Sequence, residues 1–209
     1  MFPDLPLEAR QAAAKVFRPR RVRRGEVLYR PGDKVDGVYW VREGIFWLEG
    51  PGSPDGEEAD ALGVVGPGGL LGEEALVGEG HRTLGAVALT YAELYFAPKE
   101  GLHALLSVHP EVERFLLKAL YARLKATEER LWEVRHLSVG QRLARVLLAL
   151  GREGEVALSH QDLARLVGAT RETVTKLLGE WALKGWVELG YRRVEVLDPK
   201  ALARLAGEL

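Results

Sequence analysis

Ser159-His-Gln-Asp-Leu-Ala-Arg-Leu-Val-Gly-Ala-Thr-Arg-Glu-Thr-Val-Thr-Lys-Leu-Leu-Gly-Glu-Trp181 reads as two short helices joined by a glycine turn. Ser159 is a good N-cap, and Asp162 puts an acid in the first turn of the helix it opens. Leu163, Ala164, Leu166 and Val167 form its apolar face, and Gly168 stands where a left-handed residue would end it. Thr170 caps the second helix, whose inward residues at helical spacing are Val174, Leu177, Leu178 and Trp181. Arg171, Glu172, Thr175 and Lys176 are left on its outer face near the N-terminus. In a helix-turn-helix that end meets base edges. Arginine can pair bidentately with guanine, glutamate can accept from the cytosine amino group, and Lys176 can reach guanine or a phosphate. The competing reading is an ordinary helical hairpin with a solvated charged face.

The segment after the second helix favours DNA. Trp186-Val-Glu-Leu, then Gly190-Tyr191, then Arg192-Arg-Val-Glu-Val-Leu197 predicts a β-hairpin, a wing. Arg192 and Arg193 stand just after its turn, placed for phosphates. Read as plain surface residues, they would keep a strand edge soluble. Gly168-Ala-Thr-Arg-Glu-Thr-Val-Thr-Lys176, with Ser159-His-Gln-Asp-Leu163 upstream, resembles the signature of the CRP/FNR superfamily of bacterial transcription regulators. The resemblance implies that Arg171 and Glu172 read bases and that Ser159, His160 and Gln161 touch the DNA backbone. The cyclic-AMP receptor branch usually has arginine where this chain has Lys176, and lysine cannot make the same two-pronged contact.

Upstream, the period changes. Leu5–Phe17 is a short helical stretch. Val27-Leu-Tyr, Val38-Tyr-Trp-Val, Ile45-Phe-Trp-Leu, Leu62–Val65 and Leu84–Phe96 are β-type runs, cut by Pro31-Gly32-Asp33, Glu43-Gly44, the loop Gly50–Gly56 and Gly66-Pro-Gly-Gly69. Many short strands between glycine turns predict a β-roll or jelly roll. Tyr29-Arg-Pro-Gly-Asp33 and Val38–Gly44 are similar to the cyclic-nucleotide-binding β-roll of the same superfamily, so the resemblance covers nearly the whole chain.

After His109-Pro110 a long helical pattern begins. Leu117, Leu120, Leu124, Thr127, Leu131, Val134 and Ser138 recur alternately three and four residues apart, which is a two-stranded seam flanked by charges. The alternative is an amphipathic helix packed on its own β-roll, with a wider apolar stripe. The seam predicts a parallel homodimer, and the family implies the same. Two recognition helices about one DNA turn apart would then read a near-palindrome. Gln141–Leu150 opens the DNA-binding domain, and Pro199–Ala206 reads as a short terminal helix. The fold class is α+β: a β-roll sensor over 1–109, a dimerisation helix over 110–137 and a winged helix-turn-helix over 138–209.

Gly72, Glu73, Arg82 and Thr83 stand where the family's phosphate-binding cassette lies. A cyclic phosphate wants an arginine, a hydroxyl and backbone N–H groups. The resemblance implies that Glu73 accepts the ribose 2′-hydroxyl and that Thr127, on the seam, meets the base. Cyclic AMP is therefore a candidate effector, tightening the dimer by differential affinity for two dimer states. This chain departs from the cyclic-AMP receptor pattern. The gap from Glu73 to Arg82 is one residue shorter, Glu74 replaces an apolar residue, Leu84 a small one, and Glu128 a serine. Two outcomes stay open: the site takes the nucleotide, or Arg82 pairs with Glu73 or Glu74 and no effector binds there.

Composition bounds the rest. The 209 residues carry a net charge of −1. From Ser138 onward 11 Lys and Arg face 9 Asp and Glu, +2, leaving −3 for the remainder. That asymmetry has the sign expected for DNA but is too small for strong non-specific binding. There is no Cys, which excludes disulfides, cysteine-held iron–sulfur clusters and thiol redox sensing. Asn is absent and Met occurs once, while Arg, Glu and Leu are abundant. That predicts a thermophilic source, and a mesophile-range melting temperature would count against it.

None of His81, His103, His109, His136 and His160 pairs at metal-ligand spacing, so no metal or haem is expected. A cupin-like barrel enzyme needs clustered histidines in its strands, and that region has only His81; no catalytic residue is assigned. A nucleotide sensor acting only through proteins would lack the 159–181 motif. No segment approaches the roughly 20 apolar residues of a membrane span. Met1-Phe-Pro-Asp-Leu-Pro is not a secretory signal, so a cytoplasmic protein is expected. The expected partners are double-stranded promoter DNA, a second copy of the chain and RNA polymerase, and no membrane.

Overall fold

A computed structural model describes residues 2, 4–50, 61–151 and 154–207. The chain forms two compact units, Met1–Thr127 and Glu128–Leu209. In the first, α1 (Leu7–Val16) leads into β1 (Arg18–Val22), β2 (Val27–Tyr29), β3 (Gly37–Glu43), β4 (Phe46–Glu49), β5 (Ala61–Val65) and β6 (Leu70–Leu71). The one-turn α2 (Glu74–Val77) follows, then β7 (Gly85–Ala88), β8 (Ala92–Pro98), α3 (Lys99–Val108) and the long α4 (Pro110–His136), which runs into the second unit. The second unit continues with α5 (Val139–Leu150), β9 (Glu155–Val156), α6 (His160–Val167), α7 (Arg171–Leu183), β10 (Val187–Gly190), β11 (Arg193–Val196) and α8 (Pro199–Ala206).

The expected β-roll is two four-stranded sheets, in the orders β1-β8-β3-β6 and β2-β7-β4-β5, antiparallel throughout. Alternation along β3 gives the first sheet two apolar faces. Tyr39 and Val41 point inward and join Phe46, Leu48 and Leu94 between the sheets. Val38 and Trp40 join an outer cluster with Phe2, Leu102, Val112 and Leu116, which α1, α3 and the first turns of α4 cover. Burying those faces drives the unit together. The run expected over Leu84–Phe96 is two strands, β7 and β8, with a turn at Leu89–Tyr91 between them. The expected loop beyond Gly50 lies outside the described residues.

β1, β6, α2 and α3 had no counterpart in the sequence reading. β1 is Arg-Pro-Arg-Arg-Val with only Val22 buried, so its apolar alternation is too weak to see. In the second unit, Ser138 accepts from the Gln141 N–H at 3.2 Å in a capping box, so it opens α5. Leu143, Ala144 and Leu147 of α5 are buried, as are Leu163 of α6, Val174 and Trp181 of α7 and Leu202 of α8.

Candidate nucleic-acid interface and ligand site

The turn between α6 and α7 is built by caps at both ends. Ser159 Oγ accepts from the Asp162 N–H at 3.1 Å, and the Ser159 N–H donates to Asp162 Oδ2 at 2.9 Å. Gly168 ends α6 at φ +64°, the left-handed conformation glycine adopts without a Cβ penalty. Thr170 Oγ1 then accepts from the Thr173 N–H at 3.2 Å and starts α7. Val174, Leu178 and Trp181 are buried and Leu177 is half-buried, so α7 is held by one face.

The opposite face of α7 is unspent. Arg171, Glu172, Thr175 and Lys176 are exposed, and Arg171, Glu172 and Lys176 make no hydrogen bond or ion pair among the described residues. His160 Nδ1 lies 3.0 Å from Thr175 Oγ1, tying the start of α6 to α7. Burial, and then the Arg171 charge, hold the His160 ring below its ordinary pKa. Ser159, His160, Gln161 and Arg171 share one cleft with Gly190, Tyr191 and Arg192 of the wing. Two helix N-termini and an arginine facing one cleft suit a phosphate.

The two wing arginines differ. Arg192 sits in the turn between β10 and β11 with φ +53°, exposed and lining the cleft. A non-glycine residue there is strained. Arg193 instead donates to Glu155 Oε2 at 3.1 Å, bracing the wing on β9, a strand the sequence reading did not include.

The five residues expected for an effector are in the first unit, and its own side chains engage three of them. Arg82 is 2% exposed. Its Nη1 donates to Glu74 Oε2 at 3.2 Å, and its Nη2 donates to Asp36 Oδ1 at 2.6 Å and to the Gly37 carbonyl at 2.7 Å. The Tyr29 ring covers it, with Cζ 4.4 Å from the ring centroid. Gly72, at φ +79°, packs against the Arg82 guanidinium and the Gly37 carbonyl, so a Cβ there would collide with both. Glu74 Oε1 accepts from the Thr83 N–H at 3.0 Å and hydroxyl at 2.9 Å. Burial disfavours the charged Glu74, but the hydrogen bonds from Thr83, from its own backbone and from Arg82 outweigh it, and its carboxyl lies below the ordinary range. Burial, and then the Asp36 carboxylate, push the Tyr39 phenol up to about 12; its hydroxyl donates to Asp36 Oδ2 at 3.0 Å.

Glu73 is taken as well, lying 2.7 Å from Arg123 of α4. Thr127 is exposed and donates its hydroxyl to the Arg123 carbonyl at 2.9 Å. Of the two carboxylates weighed as partners for Arg82, Glu74 is the one paired with it, and Glu73 pairs with Arg123 instead. Asp36, Tyr29, Tyr39 and Arg123 were not anticipated. Asp36 and Arg82 are 46 residues apart, and no local spacing connects them.

On α4, Leu117, Leu124 and Leu131 are 62%, 55% and 59% exposed, and Val134 is exposed too. Leu120 alone of the expected seam leucines packs partly on the outer cluster. Among the described residues no group of three His, Asp or Glu could hold a metal, and no helix is long and apolar enough to cross a membrane.

A family model of the cyclic nucleotide-binding domain matches residues 19–109, and one of the Crp-like helix-turn-helix domain matches residues 141–205. A CRP-like cAMP-activated global transcriptional regulator of Mycobacterium tuberculosis is 30% identical over 216 residues, covering 99% of this chain and 96% of that one. The cyclic AMP receptor protein of Thermus thermophilus is 32% identical over 209 residues, with the same coverage of 99% and 96%. The crystal structure of a CRP/FNR-family transcriptional regulator from Thermus thermophilus superposes with a TM-score of 0.77 at 33% identity, covering 91% of this chain and 98% of that one.

Proposed function

The chain belongs to the CRP/FNR family of transcription regulators, which are DNA-binding proteins and not enzymes; from that premise we propose that it is a homodimeric, cytoplasmic activator that needs no nucleotide at Arg82. The observation that carries this reading is the engagement of Arg82 Nη1 and Nη2 by Glu74, Asp36 and the Gly37 carbonyl, which leaves its buried Nε–H without a partner among the described residues. A cyclic phosphate held by Nη1 and Nη2 would compete with Glu74 and Asp36 for those nitrogens. Glu74, buried and charged at neutral pH, would then face a second anion, and separating a buried pair costs several kcal/mol. Glu73, the residue for a ribose hydroxyl, is paired with Arg123.

The exposed leucines of α4 are the face for a second copy of the chain, burying apolar area that water now meets. Each copy would present α7 to a major groove and the cleft of Ser159, His160, Gln161 and Arg192 to the flanking phosphates. Activation by contact with RNA polymerase is the family's commoner mode.

The second reading is cyclic-AMP control. It is supported by the family match over 19–109 and by the Mycobacterium tuberculosis relative, whose name describes it as cAMP-activated. Fluorescence anisotropy on a family-type palindrome, with and without cyclic AMP, separates the two. Tight binding unchanged by the nucleotide is expected. Binding only in its presence would replace this reading with the second.

A further inference from the structure

We infer that the outer face of the first unit carries a small-molecule site, one for an amphipathic organic anion with a medium-length apolar body and a single carboxylate. The site is a groove of about 720 Å³ between Leu5, the outward side of β3 at Trp40 and Arg42, and the first turns of α4. That size is within the range of small-molecule pockets.

The groove is separate from Arg82. Trp40 and Tyr39 are neighbours on β3 and face opposite ways: Tyr39 packs in the inner cluster under Arg82, Trp40 in the outer one. It is also separate from the α4 seam. Arg114, Phe115 and Lys118 line the groove. At about 100° per residue Phe115 and Lys118 point well away from Leu120 and Leu124, while Arg114 lies nearer the seam, roughly 80° from Leu124.

The lining selects the ligand. The Trp40 and Phe115 rings stand 6.2 Å apart and give it an aromatic wall. The Trp40 indole N–H is buried and has no acceptor among the described residues. A buried donor without an acceptor is costly, and a ligand oxygen seated beside Trp40 would remove the cost. Three cations line the groove. Arg42 is already committed to Glu93 at 2.9 Å. Arg114 and Lys118, one helical turn apart, are exposed and make no hydrogen bond or close ion pair among the described residues. Two carboxylates, Asp4 and Glu111, also line the groove; Glu111 accepts from His109 at 3.2 Å and interacts with the Arg114 charge, so the three cations outnumber them by one. A carboxylate between Arg114 and Lys118, with its apolar body against Trp40 and Phe115, satisfies both halves of the surface.

The test is calorimetric titration of the full chain with decanoate, decylamine and decanol, each at or below about 1 mM. Decanoate should saturate at one per chain with a Kd of about 10–100 μM, at least tenfold tighter than decylamine. Arg114→Gln with Lys118→Gln should weaken decanoate at least tenfold while leaving circular dichroism and melting temperature unchanged. Trp40→Phe should abolish most of the tryptophan fluorescence change on binding. Excess cyclic AMP should displace nothing. Lack of saturation, equal affinity for decylamine, undiminished binding by the double variant, or displacement by cyclic AMP would each overturn the proposal. None of these readouts depends on DNA binding.

Discussion

Arg82 and Arg171 are both placed where the family meets an anion, and their surroundings are opposite. Arg82 is buried under Tyr29 and divided among Glu74, Asp36 and the Gly37 carbonyl. Arg171 is exposed on α7 with no hydrogen bond or ion pair among the described residues. One guanidinium works for the fold, while the other is left for a partner. On the proposed reading, the residue type at a family position does not by itself establish a ligand; what its neighbours already take from it matters as well.

Substitution should therefore move different quantities at the two arginines. The largest effect is expected for Arg82→Ala, which strands the Glu74 carboxylate in the core and should destabilise the protein by about 3–5 kcal/mol in denaturant unfolding. Glu74 has a folded pKa depressed below the ordinary 4.5. Its contribution is thus present above that value and lost as pH falls through the lower folded one. An Arg82→Ala protein as stable as the parent, with the same acid transition, would break the contrast.

Leu124→Asp should come next. It places a charge in the exposed face of α4 and should shift sedimentation from dimer to monomer, with little change in melting of the first unit. A variant that stays dimeric would move the interface elsewhere. Arg171→Ala should leave stability within about 0.5 kcal/mol and weaken a specific site by about 1–3 kcal/mol, with a smaller loss on random DNA. Equal losses on both would make Arg171 a phosphate contact only.

The smallest effect is expected at His160. Its pKa is held down in the free protein, and a phosphate against the ring would raise it. DNA affinity should then rise, by less than about tenfold, as pH falls through the raised value, and His160→Gln should flatten that dependence. An unchanged slope in the variant would place the phosphate away from this ring.

The C-terminal unit was the more legible of the two. Its caps are local: Ser159 with Asp162, Gly168, and Thr170 with the Thr173 N–H each act within a few residues, so the hydrogen bonds follow from spacing along the chain. The N-terminal unit was legible as alternating runs and glycine turns, but β1 was hidden because its arginines mask the alternation. α2 was hidden because a four-residue helix carries no periodic pattern; α3, as long as α1, was overlooked although Leu102 and Leu105 stand at helical spacing. Arg193 stood beside Arg192 in the sequence with no sign that only one of them would pair, since Glu155 is 38 residues away.

From the sequence alone came the family, the strand-rich first half, the heptad of α4 and the outward residues of α7. All of these rest on interactions that repeat or close over a few residues. Only the tertiary structure decided which arginines remain available. That choice depends on carboxylates brought together from Asp36, Glu73, Glu74 and Glu155, on elements far apart along the chain. Burial strengthens the Arg82–Glu74 pair most, whereas Arg193 and Glu155 are each about half exposed and solvent weakens their pair.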